Sequence, residues 1–152
     1  RGQPFIGVMN QPYVGDLFVG NQDGAWKIKD GQKSKLASAA SVTLRQTKVG
    51  TTTPHRYQGR DSAKFEHLRE SVTLMRYGGD AYFFCLLAEG LLDIAMDPGL
   101  QIYDIAALIP IIKGAGGVVA TWDGEDPAQG GNIIAASSRE TLEQALAVMA
   151  AR

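Results

Sequence analysis

Apolar side chains change their spacing several times along the chain, and each change marks an element. Phe5 to Asn10 and Asp16 to Gly20 are apolar, β-branched runs separated by Gln11-Pro-Tyr-Val-Gly15, which predicts two strands joined by a hairpin. Ala25-Trp-Lys-Ile-Lys29 closes at Asp30-Gly31, so this opening segment reads as an antiparallel meander. Lys48 to Thr52 is a short strand ended by Pro54, and His55 to Arg60 is a polar loop. Ala63, Phe65 and Leu68 lie near helical spacing behind Asp61-Ser62, which predicts a helix over 61–70 capped by that pair. Ser71 to Tyr77 then returns to a strand pattern.

The second half is more regular. Asp80 to Gly90 reads as a helix apolar on nearly every side, Leu92 to Met96 as a strand, and Ile102 to Lys113 as a second apolar helix. Pro110 inside that helix removes the N–H that would bond the carbonyl of Ala106, so a local kink is expected there. Gly114-Ala-Gly-Gly117 follows the helix and reads as its cap, not as a phosphate cradle, because phosphate loops precede helices. Val118 to Trp122 is a strand closed by Asp123-Gly124, Asn132 to Ala136 another strand, and Arg139 to Ala150 an amphipathic helix with Leu142, Leu146 and Met149 on one face. The alternation implies an α/β fold, a layered sandwich in which a mixed β-sheet is flanked by helices. Helices without a polar face belong between two layers or against another domain.

Composition adds boundaries to this picture. The 152 residues, 45% apolar and 20% charged, suit one globular domain and exclude a disordered chain. A formal net charge of -1 with no Lys/Arg block gives no general attraction for nucleic acid or an anionic membrane surface. No apolar run approaches the ~20 residues of a membrane span, so a cytoplasmic location is the default expectation. The single cysteine, Cys85, sits in the apolar run Ala81–Ala88 and reads as a buried core thiol. The chain opens without an initiator methionine and runs directly into a strand, as expected of a segment of a longer protein.

Two constellations carry candidate chemistry. Asp104 is the only carboxylate of the Ile102–Lys113 helix and lies in its first turn, behind the constrained Asp97-Pro-Gly99. Read from the residues alone it is either an ordinary helix-start Asp or a fixed, ionised ligand for a hard cation such as Mg2+, which takes one or two carboxylates plus water and phosphate oxygens. Arg76-Tyr-Gly-Gly-Asp80 stands at a strand-to-helix junction, where ligands gather in open sheets. Arg76 and Asp80 are either a surface ion-pair residue and a helix cap or part of a substrate wall. His55 and His67 have no metal-like spacing.

At these constellations the chain resembles the inositol monophosphatase superfamily of Mg2+-dependent phosphomonoesterases. The resemblance rests on Tyr103-Asp104-Ile-Ala-Ala107 followed by Ala115-Gly-Gly117, and extends from Gly7-Val-Met-Asn-Gln-Pro12 through Gly24-Ala-Trp26 to the last helix. Within the superfamily, Arg76-Tyr-Gly-Gly-Asp80, Tyr103 and Leu108-Ile-Pro-Ile-Ile112 look most like the histidinol-phosphatase branch. The resemblance implies that residues 1–152 form the carboxyl-terminal half of the fold, with the metal-binding amino-terminal half, its Asp-Pro-(Ile/Leu)-Asp-Gly-Thr motif and upstream Glu absent. It further implies Asp104 as a Mg2+ ligand, Arg76, Asp80 and Asp97 as substrate-binding residues, a small phosphorylated substrate, and a homodimer. Histidinol phosphate is the implied substrate, because its amine and imidazole suit Asp80. Inositol phosphate, another sugar phosphate, and a noncatalytic module that kept the fold are the alternatives.

Overall fold

The computed structural model describes residues 2–151. Strands β1 (Ile6–Gln11), β2 (Asp16–Asn21), β3 (Gly24–Lys29) and β4 (Gln32–Lys35) form a four-stranded antiparallel sheet in chain order. This is the expected meander with one strand more. Gln32-Lys-Ser-Lys35 is exposed throughout and has no apolar alternation to announce it. It is held in the sheet by the two-residue turn before it, Asp30 and Gly31 at φ 50° and 77°, a left-handed pair that folds β4 back onto β3.

A second, five-stranded sheet has the order β6-β5-β7-β9-β8. It is built from β5 (Lys48–Thr51), β6 (Leu74–Tyr77), β7 (Ile94–Leu100), β8 (Val118–Thr121) and β9 (Gly131–Ala136). β5 runs parallel to β6 and β7, whereas β9 is antiparallel to both β7 and β8, so the sheet is mixed as expected. Helices α2 (Asp80–Ala88) and α4 (Leu108–Gly114) lie between the two sheets, and α1 (Arg60–Ser71) and α5 (Arg139–Met149) cover the other face of the mixed sheet.

That placement explains the missing polar faces. Leu108 through Ile112 are all buried in α4, and Phe84, Cys85, Leu87 and Ala88 in α2, because each helix meets a sheet on both sides. The antiparallel sheet packs on α4 backbone to backbone. A Cβ at Gly20 would stand 2.3 Å from Ile111 Cα, and one at Gly7 would fall inside the carbonyl group of Ala107. Cys85 is fully buried and its thiol pKa is pushed up to about 12 by that burial, as suits a core residue. Among the described residues no helix is long and apolar enough to cross a membrane.

Three expectations need correction. The helix over 102–113 is two helices, α3 (Ile102–Ile105) and α4, interrupted at Ala106-Ala107. Both interrupting residues keep right-handed helical dihedrals, so the path is not broken; only the bonding ladder is, at the residue whose carbonyl the Pro110 ring would strike. Pro110 itself occupies the first turn of α4, where a missing N–H costs least. Second, α1 begins at Arg60 behind Gly59, and Asp61 does not cap it: its Oδ2 accepts a 3.0 Å bond from Asn132 Nδ2. Third, α1 continues to Ser71, so β6 occupies only the end of the strand expected over 71–77. The glycines after α4 do form a cap, with Gly116 at φ 88° and the N–H groups of Gly116 and Gly117 closing on the carbonyls of Lys113 and Ile112.

Candidate active site

The carboxyl ends of β5 and β7 and the amino ends of α2 and α3 enclose a cavity of about 430 Å3 lined by Thr52, Arg56, Asp80, Ala81, Phe84, Asp97, Leu100, Tyr103, Asp104 and Leu108. Strands ending where helices begin leave backbone groups and short polar side chains facing one space, which is why ligand sites form there. Asp80, Asp97 and Asp104 therefore share one cavity although 24 residues separate the first from the last. Arg76 is not among the lining residues; it stands exposed on the edge strand β6, opposite Gly50.

The three carboxylates are held in different ways. Asp97 is 2% exposed, and its oxygens accept bonds of 2.9 Å from the Thr51 hydroxyl, the Thr52 amide and the Thr52 hydroxyl. Burial raises its pKa above the ordinary carboxylate value, against the lowering effect of the Thr52 and Thr51 bonds and the charge of Arg56. Because the one Thr51 proton goes to Asp97, the 2.5 Å contact between Thr51 and Tyr57 hydroxyls is a bond donated by Tyr57. The chain Tyr57–Thr51–Asp97 is thus directional, and the Tyr57 ring anchors it by stacking on Phe65 at 4.1 Å and Trp122 at 5.6 Å. Burial is the main reason that the Tyr57 pKa is raised.

Past Asp97, β7 makes a bulge against β9, fixed by a 2.9 Å bond from the Gly99 amide to Asn132 Oδ1. Asn132 also donates to Asp61, so one side chain ties the bulge to α1. Asp104 follows, exposed, at the third position of α3. Its Oδ2 accepts from the Gln101 amide at 2.8 Å in a reciprocal capping box. Oδ1 has no hydrogen-bond partner among the described residues. Asp80 opens α2 with φ 43°, in the left-handed region that a non-glycine residue enters at a cost of about 1–2 kcal/mol, and its side chain makes no cap bond. An exposed carboxylate in a strained backbone at a cavity wall is placed for a ligand more readily than for stability.

These donors do not compose a Mg2+ site by themselves. Among the described residues no group of three or more His, Cys, Asp and Glu is placed to hold a metal, and the oxygens of Asp97 already accept three bonds from Thr51 and Thr52. Asp104 Oδ1 fits one coordination position.

Thr52 and Arg56 line the cavity but escape sequence reading. The signal available was Thr51-Thr-Thr-Pro54 at the end of a strand, the sheet edge where ligands bind; Arg56 fell in a loop with no pattern of its own.

Fold and site together define a layered α/β protein with a carboxylate-lined cavity. The model of the inositol monophosphatase family matches residues 1–151, and the chain belongs to that family. It is 29% identical over 155 residues to a chloroplastic bifunctional phosphatase, IMPL2, of Arabidopsis thaliana, covering 96% of this chain and 44% of that protein. It is 29% identical over 137 residues to a histidinol-phosphatase of Mycobacterium tuberculosis, covering 88% of this chain and 53% of the relative. The structure of an inositol monophosphatase from Zymomonas mobilis superposes with a TM-score of 0.89 at 30% identity, over 97% of this chain and 58% of that one. The chain thus spans about half the length of the relatives it matches.

Proposed function

We propose that this chain forms the substrate wall of a Mg2+-dependent phosphomonoesterase whose substrate is histidinol phosphate, released as histidinol and phosphate. The observation that carries the reading is the cavity shared by Asp80, Asp97 and Asp104, with two of the three carboxylates unburied. Asp80, without a partner among the described residues, faces a cationic amine or imidazole. A neutral polyol gains less from it, since an ionic hydrogen bond is roughly twice as strong as a neutral one. Asp97 holds the Thr51-Thr52 wall in place, and Tyr103, 78% exposed, supplies an aromatic face at the mouth. Arg76 has no part in the cavity under this reading.

Mg2+ would be held by Asp104 together with carboxylates from outside this chain, and would supply charge neutralisation on the phosphoryl group. With one ligand only, residues 1–152 alone are expected to show no Mg2+-dependent turnover; measurable hydrolysis by this segment would overturn that division of labour. The substrate is tested by measuring kcat/KM of the full-length protein for histidinol phosphate and for inositol 1-phosphate. A preference for inositol 1-phosphate transfers the proposal to that substrate, and no turnover of either favours a noncatalytic module.

A further inference from the structure

Among the described residues Arg56 is the one cationic side chain lining the candidate active-site cavity, and nothing in the family resemblance assigns it a role. Its backbone position is fixed from both sides. Residues Pro54–Arg56 form a single helical turn, opened by the Thr53 side chain accepting from the His55 amide, and closed by a bond from the Tyr57 amide to the Pro54 carbonyl. Tyr57 is buried in its aromatic stack and hydrogen-bonded to Thr51, so the turn cannot drift away from the cavity. The guanidinium reaches across to the β7 bulge, where a Cβ added at Gly99 would come 3.9 Å from Arg56 Nη2.

Among the described residues the guanidinium forms no ion pair and no hydrogen bond. The nearby carboxylate of Asp97 is engaged by three threonine donors. Five N–H donors on a planar fork, placed at the wall of a cavity and left without an acceptor, match the oxygens of a phosphoryl group. We propose that Arg56 binds the phosphoryl oxygens of the substrate and of the released inorganic phosphate. It is then a binding residue for the anionic end of the ligand, while Asp80 in the same cavity takes the cationic end. The inference rests on the proposed phosphomonoesterase reading but not on histidinol phosphate as the substrate.

The test uses full-length protein carrying Arg56→Met or Arg56→Lys. Steady-state kinetics are measured on whichever phosphomonoester the unsubstituted protein turns over, and inorganic phosphate binding is measured separately by calorimetry. Arg56 is exposed, so both variants should fold, which thermal melts verify. Arg56→Met is expected to raise KM and the phosphate Kd together, each about tenfold, with kcat within about twofold, as the loss of one charge-assisted bond predicts. Arg56→Lys should keep part of the phosphate affinity, because the charge remains and the fork is lost. An unchanged KM and phosphate Kd would overturn the inference. A raised KM with an unchanged phosphate Kd would also overturn it, by placing the guanidinium on another part of the substrate. Phosphate binding is read without turnover, so a protein that binds phosphate through Arg56 but hydrolyses neither test substrate refutes the enzyme reading and spares this one.

Discussion

Replacing Asp97 by Ala tests whether this buried carboxylate holds the cavity wall together. The substitution leaves three donors without their acceptor: the Thr51 hydroxyl, the Thr52 amide and the Thr52 hydroxyl, each 2.9 Å from a carboxylate oxygen. An orphaned buried donor costs about 1–3 kcal/mol. Thr51 is 1% exposed, and its hydroxyl can find a new acceptor only if the Tyr57 proton turns to the longer, 3.4 Å bond with the Met96 carbonyl, so most of its penalty applies. The two Thr52 groups are partly exposed and find water at a smaller cost. Relief from burying a charge offsets part of the sum, leaving about 2–3 kcal/mol at neutral pH. For a domain of this size that lowers Tm by about 4–12 °C in a calorimetric or circular-dichroism melt.

Protonation adds a second signature. Burial raises the Asp97 pKa in the folded chain, so its contribution to stability is fully present below the ordinary carboxylate pKa and is lost as pH rises through the folded value. Asp97→Asn removes that titration while keeping the volume. The stability difference between the unsubstituted protein and Asp97→Asn should therefore shrink as pH rises from about 4 toward neutrality. A difference that grows with pH, or an Asp97→Ala melt within about 2 °C of the unsubstituted protein, would refute the reasoning.

Asp16 has the opposite sign. Against the desolvation of burial, bonds from Lys29 at 2.9 Å and Tyr82 at 2.8 Å and the ion pair with Lys27 at 3.1 Å lower its pKa to about 2. Its contribution is present above the ordinary carboxylate pKa and lost as pH falls toward 2, so Asp16→Asn should cost about 2 kcal/mol in urea unfolding at pH 7 and little at pH 2. Gly20→Ala should cost about 3 kcal/mol in the same assay, because the new methyl group meets Ile111 Cα and the Pro110 carbonyl, neither of which can swing aside. Asp104→Asn keeps an oxygen to accept from the Gln101 amide, so Tm should move by less than about 2 °C, while Mg2+-dependent turnover of the full-length protein falls at least about 100-fold.

Much of the secondary structure was legible because it obeys short-range rules. The meander turn at Asp30-Gly31, the cap at Gly116-Gly117 and the amphipathic face of α5 each depend on residues within a few positions of one another. β4 was not legible, since four polar residues become a strand only when β3 offers them a ladder. The interruption at Ala106 was foreseeable in kind from Pro110, although its form was not: a lost bond in a continuous path. In the site, Asp80 and Asp104 could be picked out singly from helix starts, and Asp97 only through the family resemblance. Arg56 and Thr52 could not, because a loop residue carries no periodic signal of where the sheet will place it.

The sequence by itself determined most of the order of strands and helices, though not β4, together with the absence of polar faces on two helices and the family motif around Asp104, all local or compositional properties. Only the tertiary structure decided that both apolar helices lie between two sheets, that three distant carboxylates and one arginine face a single cavity, and that Arg76 does not. The physical reason is that burial and charge pairing act between residues that are neighbours in space. Asp97 illustrates it: the side chain that the family resemblance implies as substrate-binding is also, in the fold, the acceptor that fastens one strand end to another.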